Sequence, residues 1–265
     1  MKPYYEHAGI TLYHGDNVAT MQEMIPDDSI DLVVTSPPYD NLRTYGGHSW
    51  DFEGVAQQLW RVIKPGGVVV WVVADATIDG SETGTSFRQA LRFMEIGFQL
   101  HDTMIYHRQA ANPSNTAGRY WQNFEYMFVL SKEQPVTVNL LKDRKNLNRR
   151  MGGDAVRQKD GTVLKGDRGS KEFDEFGYRE NVWKYLCGGG LMGDNGSHPA
   201  TFPEALARDH ILSWSNDGDT VLDPFSGSGT TAKMAKLMGR KAIGIEINEP
   251  YCEIAASRLA QGVLF

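Results

Sequence analysis

The sequence predicts an α/β protein, a doubly wound and mostly parallel sheet interrupted once by an inserted region. Three observations carry this. Short apolar runs alternate with helical stretches over the first 130 residues, and the alternation returns near residue 203. Between about Pro135 and Gly196 the periodicity disappears into a stretch rich in Gly, Lys, Arg, Asp and Asn, too long for a simple loop in a compact domain. Residues 220–246 read as strand, glycine turn, helix and strand. The chain accordingly divides into 1–134, an insert at 135–196, and 197–265.

Taken in order, Ile10–His14 reads as a strand, followed by a loop at Gly15-Asp16-Asn17 and a short amphipathic helix through Met24. Asp31–Val34 is a buried strand that stops at Pro37-Pro38, because proline cannot continue a central ladder. Phe52–Ile63 has apolar residues at 52, 55, 56, 59, 60 and 63, a helical spacing, and ends at Lys64-Pro65-Gly66-Gly67. Val68–Val73 is a continuous apolar run, as in parallel strands covered on both faces. Phe87–Ile96 is helical, and Gln99–Tyr106 and Phe124–Leu130 are strands. After the insert come a helix from Pro203 to Trp214, a strand at Thr220–Leu222, a helix from Thr230 to Met238, a strand at Ala242–Ile247 and a helix at Pro250–Gln261.

Composition excludes several classes. The 265 residues are 41% hydrophobic and 23% charged, as in an ordinary globular chain. The longest apolar run, Val68–Val73, is far short of the roughly 20 residues that cross a bilayer. No apolar segment of signal-peptide type follows the N-terminus, so a cytoplasmic protein is expected. Cys187 and Cys252 have no ligand spacing, and neither do the seven histidines, so no zinc site, disulfide framework or other metal is expected. Net charge is −6, but residues 142–171 hold ten basic and four acidic residues, a net of +6 on a body of −12. A positive strip on an acidic body suits tracking of phosphates, although a solvated charged loop has the same composition.

Two constellations carry chemistry. In the first, Thr220–Thr231 runs from a strand through Asp223-Pro224-Phe225 into Gly227-Ser228-Gly229, and Glu246 ends the next strand. A glycine turn feeding a helix N-terminus lets backbone approach a ligand closely, and the acid is placed to accept from two ribose hydroxyls. A P-loop does not fit, because no Gly-Lys-Ser/Thr follows. In the second, Thr35-Ser36-Pro37-Pro38-Tyr39 ends a buried strand, the edge where open α/β sheets bind ligands. The Ser36 hydroxyl and the Pro37 carbonyl can accept both protons of a planar amine while Tyr39 stacks on its π face. Accepting both protons draws the nitrogen towards sp³ and frees its lone pair for attack on a methyl group.

Together these two motifs resemble the DNA amino-methyltransferase family, which moves methyl from S-adenosylmethionine to N6 of adenine or N4 of cytosine. The order here, catalytic motif, basic insert, cofactor loop, resembles the family's β group. The resemblance implies a class I S-adenosylmethionine-dependent methyltransferase fold with circularly permuted motifs, in which the insert is the target-recognition region. It covers nearly the whole chain. It assigns Ser36, Pro37, Pro38 and Tyr39 to the target amine. It assigns Asp16, Thr35, Asp223, Phe225, Gly227, Gly229, Thr230 and Glu246 to the cofactor, with His198 and Phe202, in a segment that holds its methionine end. Phe124-Glu125-Tyr126 resembles the strand lining the base pocket.

A base inside a stacked duplex cannot reach a cofactor at a sheet edge, so the resemblance also implies base flipping in double-stranded DNA. Lys142, Arg144, Lys145, Arg149, Arg150 and Arg157 are the candidate phosphate contacts, with Asn146 and Asn148 as base readers. His107 and Arg108 are a further pair that would face DNA or simply solvent. Trp50, Trp60, Trp71 and Trp183 are expected in the core. Ser36 is commoner among cytosine-N4 enzymes, whereas Tyr39-Asp-Asn-Leu-Arg-Thr-Tyr45 is similar to adenine-specific sequences. On that balance adenine is narrowly favoured. Methylation of RNA or of a protein amine, a silent DNA-binding regulator, a homodimer, and a restriction partner against an orphan role all stay open.

Overall fold

The computed structural model describes residues 1–39, 49–109, 118–146, 155–165, 174–186 and 203–261. The elements run β1 (Tyr5–His7), β2 (Ile10–His14), α1 (Asn17–Met24), β3 (Ile30–Thr35), α2 (Phe52–Val62), β4 (Ile63–Val73), β5 (Thr77–Ile78), β6 (Ser81–Glu82), α3 (Thr85–Ile96), β7 (Gln99–Gln109) and β8 (Phe124–Ser131). They continue with β9 (Arg144–Lys145), β10 (Ala155–Arg157), β11 (Val163–Lys165), β12 (Phe176–Gly177), β13 (Val182–Leu186), α4 (Glu204–Trp214), β14 (Thr220–Asp223), α5 (Thr230–Leu237), β15 (Lys241–Glu246) and α6 (Glu249–Ala260).

The chain divides into two compact units, 1–139 with 181–265, and 140–180. The larger holds a sheet that, among the described residues, has nine strands in the order β1-β2-β15-β14-β3-β4-β8-β7-β13. From β2 to β4 every pairing is parallel, while β8 runs antiparallel to both β4 and β7. This is the doubly wound, mostly parallel sheet that the alternation predicts. Its interior follows from Val68–Val73, each at most 1% exposed because both faces of β4 are covered. On one face Trp71 meets Phe93 and Phe52 edge-on at 5.1 and 6.2 Å and donates its ring N–H to Gln89 at 2.9 Å. Trp71 and Trp183 are buried, and Trp50 and Trp60 pack against the core, as expected.

Two departures have physical reasons. Lys64–Gly67 reads as a break, yet β4 begins at Ile63: it pairs with Ile30, bulges, and rejoins the ladder at Val68 opposite Leu32. Gly66, at φ +80°, supplies the left-handed turn that this needs. Secondly, β13 extends the sheet parallel to β7, within sequence that shows no periodicity. Its Trp183 is buried against His210, with ring centroids 4.5 Å apart.

The smaller unit contains two short antiparallel ribbons, β9 with β12 and β10 with β11. Arg179 chelates Asp143, and Asn146 donates to the Asp174 carbonyl at 2.8 Å. No helix among the described residues is long and apolar enough to cross a membrane.

Candidate active site

The parallel strands β2, β15, β14 and β3 end side by side, and each hands over to a loop that the sequence marks as functional. The strand order reverses between β14 and β3, since the chain after β14 moves towards β2 and after β3 towards β4. That switch point is where open α/β sheets leave a crevice for ligands. Thr35 and Asp223 face each other across it, the threonine hydroxyl donating to Asp223 Oδ1 at 2.7 Å. The Phe225 N–H donates to the same oxygen at 3.1 Å, and Thr231 Oγ1 donates back to the Val34 carbonyl at 3.1 Å. The cofactor loop is thus tied to the catalytic strand by side chains from both.

Asp223 is 3% exposed, and burial pushes its carboxyl up to about 6. The Thr35, Phe225 and Thr231 hydrogen bonds oppose that rise, and the charge of Glu246 adds to it. Between the ordinary value near 4 and this one, the folded state holds the proton more tightly than the unfolded chain. The contribution to stability is therefore complete below about pH 4 and is lost as pH rises through about 6, on the order of 3 kcal/mol. Asp223→Asn keeps an oxygen for Thr35 and Phe225 but no titration. Urea midpoints across pH 4–7 should fall less steeply for the variant than for the wild type; parallel slopes would rule this out.

Beyond β14, Gly227 and Gly229 adopt φ +50° and +79°, and a Cβ on Gly229 would sit 3.0 Å from Ala255 Cβ. Glu246, at the end of β15, accepts the Gly227 N–H on Oε2 and the Asn248 N–H on Oε1, both at 2.8 Å. Burial raises its pKa, against those backbone donors. Each oxygen keeps a lone pair for a further donor. Gly244 lets Ser226 pack against β15: a Cβ there would come within 2.5 Å of Ser226 Oγ, itself buried and without a hydrogen-bond partner. A carboxylate held by two backbone donors beside a glycine turn of positive φ fits a nucleoside with a ribose diol. Phe225 lies in the loop with Trp50 edge-on at 5.0 Å.

The β2–α1 loop joins them. Gly15 N–H donates to the Glu246 carbonyl at 2.9 Å, and Asn17 reaches the Pro224 carbonyl at 3.3 Å. Asp16 caps α1, accepting from Ala19 N–H at 2.9 Å, and is exposed at that edge. The Asn17 tether was not legible in the sequence, nor was the brace behind the loop, where Arg258 on α6 donates to Ser228 and pairs with Glu204 at 2.9 Å.

On the other side of the switch point, Pro37 is buried while Ser36, Pro38 and Tyr39 are half-buried. Ser36 Oγ lies 2.7 Å from the Tyr39 hydroxyl, which donates to Glu125 Oε2 at 2.9 Å. Arg108, which the sequence leaves between DNA and solvent, stands 3.5 Å from Glu125, and its neighbour His107 meets the Asn123 amide at 3.0 Å. In the smaller unit Lys142 lies 5.0 Å over the Tyr178 ring, Arg144 donates to the Tyr178 carbonyl at 3.0 Å, and Lys145 is exposed. His198, Phe202, Arg149, Arg150, Asn148 and 40–45 lie outside the described residues, as does the Arg157 side chain. Among the described residues, no group of three or more His, Cys, Asp or Glu side chains is placed to hold a metal ion.

The DNA methylase family of N6/N4 type matches residues 30–257. The orphan methyltransferase M.BamHII of Bacillus amyloliquefaciens is 53% identical over 258 residues, 92% of this chain and 94% of that one. The PvuII DNA methyltransferase, described as cytosine-N4-specific, has the same fold at a TM-score of 0.72 and 22% identity, over 100% of this chain and 91% of that one. A Thermus thermophilus protein, named as a DNA modification methylase and solved with S-adenosyl-L-methionine, aligns at a TM-score of 0.61 and 26% identity, over 95% and 96%. The cofactor is S-adenosylmethionine, and the sheet is the permuted class I methyltransferase fold. This chain belongs to the DNA methylase family, the enzymes that transfer methyl from S-adenosylmethionine to an exocyclic amine of a flipped-out DNA base.

Proposed function

We propose that the amine methylated is N4 of cytosine. The observation that carries this is Ser36 at the head of the Pro-Pro-Tyr turn, the residue type commoner among cytosine-N4 members of the family that the motif resembles. A solved structure described as cytosine-N4-specific also shares the fold at a TM-score of 0.72, where two other DNA methylase structures align at 0.62 and 0.61. That likeness, added to Ser36, outweighs the run at 39–45 that favours adenine on sequence alone.

In this reading the Ser36 hydroxyl and the Pro37 carbonyl accept the two amine protons, and Tyr39 stacks on the extruded base, a contact worth about 1–3 kcal/mol. Glu246 holds the ribose of the cofactor, and Gly227 and Gly229 let the chain pass close to it. The bound cofactor supplies an activated methyl group. Lys142, Arg144, Lys145, Arg149, Arg150 and Arg157, in the target-recognition insert, track phosphates. The 53% identity to an orphan methyltransferase supports an orphan role over one paired with a nuclease.

The test is incubation with S-adenosylmethionine and unmodified genomic DNA, then digestion and nucleoside mass spectrometry. N4-methyldeoxycytidine is expected. N6-methyldeoxyadenosine alone would restore the adenine reading, and neither base would refute both.

A further inference from the structure

A serine hydroxyl serves this reaction only in one orientation. Its single proton can point at the amine or away from it. Pointing at the amine, it would hydrogen-bond the nitrogen lone pair that has to attack, and so oppose the reaction. Pointing away, it leaves both oxygen lone pairs to accept from the amine. Nothing in Ser36 itself selects between the two.

The selection comes from two residues beyond it. Glu125, at the start of β8, lies 86 positions from Tyr39 in sequence, yet Oε2 accepts the Tyr39 hydroxyl proton at 2.9 Å. Glu125 is mostly buried, and the Arg108 guanidinium stands 3.5 Å from its other oxygen. A carboxylate beside a guanidinium is an acceptor and not a donor. Tyr39 has one proton, and once it points at Glu125 the phenol oxygen can only accept along the 2.7 Å contact to Ser36. The Ser36 proton is then turned towards Tyr39, which leaves the oxygen lone pairs of Ser36 to accept.

We propose that Glu125 is a positioning residue which, through Tyr39, fixes the Ser36 hydroxyl as an acceptor for the target amine. Tyr39 then has two separable duties: its ring stacks on the base, and its hydroxyl sets the direction of the hydrogen-bond chain. The inference rests on Ser36 serving the amine, and it holds for either base.

The test uses Tyr39→Phe, which keeps the ring and removes the hydroxyl, and Glu125→Gln, which keeps the size but carries donors that can point back at the phenol oxygen. Both are compared with the wild type and the double variant on duplex DNA. Methyl transfer is followed under single turnover, KM for DNA at steady state, and base extrusion by 2-aminopurine fluorescence at the target. Each single variant is expected to lose at least tenfold in the methyl-transfer rate, with KM and the fluorescence signal within about twofold. The double variant should be no slower than the slower single one, because both cut one chain. Losses in KM and fluorescence with an unchanged rate would mean that Glu125 only steadies the stacking ring, and would overturn the proposal. Independent, multiplying losses would overturn it as well. An active wild type with indifferent variants removes the relay and leaves the function standing. A wild type inactive on DNA removes the function, and the relay with it.

Discussion

Replacing Glu246 with alanine is expected to weaken S-adenosylmethionine binding by about a hundredfold. In the function proposed above the carboxylate accepts from both ribose hydroxyls, and hydrogen bonds to a charged group contribute about 1.5–3 kcal/mol each. Two at the lower value come to about 3 kcal/mol, which is more than two orders of magnitude in Kd. A second loss adds to the first, since the Gly227 and Asn248 N–H groups lose the oxygens that now hold them at 2.8 Å. Glu246→Gln keeps one acceptor and should fall between. Calorimetric titration of the protein with cofactor, without DNA, reads the effect directly. An alanine variant within threefold of the wild type would remove Glu246 from the cofactor site.

Ser36→Ala is expected to slow methyl transfer by about 10²–10³-fold while leaving cofactor affinity unchanged. The magnitude is that of removing one preorganised hydrogen-bonding group aimed at charge that develops in the transition state. The serine is half-buried at the end of β3, so the truncation opens little core and should not unfold the protein. Single-turnover rates at saturating cofactor and DNA separate the chemical step from binding. A loss confined to the DNA KM would make Ser36 a base-binding group. An unchanged rate would leave the Pro37 carbonyl as the only acceptor of consequence.

Much of the frame was legible because it depends on patterns that a single segment displays. Val68–Val73 announces a strand buried on both faces, and Thr220–Thr231 with Glu246 announces a cofactor turn whatever the rest of the chain does. β13 was not legible, since Val-Trp-Lys-Tyr-Leu lies among Gly and Asn and becomes a strand by pairing with β7. Likewise, β1 is three residues with polar side chains on an edge, and it carries no apolar signature. Lys64–Gly67 resembled a stop because proline and glycine punctuate most chains, whereas here they form a bulge. The site divides in the same way. Ser36 and Tyr39 advertise themselves in one motif, but the Glu125 partner is 86 residues away and the Asn17 tether spans 207. Only the fold brings such pairs together.

The interleaving of the sheet has a consequence for biosynthesis. In the order β2-β15-β14-β3, two of the last strands made fill the space between two of the first, and 188 residues separate Thr35 from Asp223. At a translation rate of about 5–20 residues per second, the early half waits roughly 10–40 s for them. During that interval β2 and β3 cannot pair with each other without a wrong register, and both present open ladders of backbone donors and acceptors. A nascent chain stalled before residue 220 is therefore a sheet with a gap two strands wide, a better template for aggregation or chaperone capture than for an enzyme.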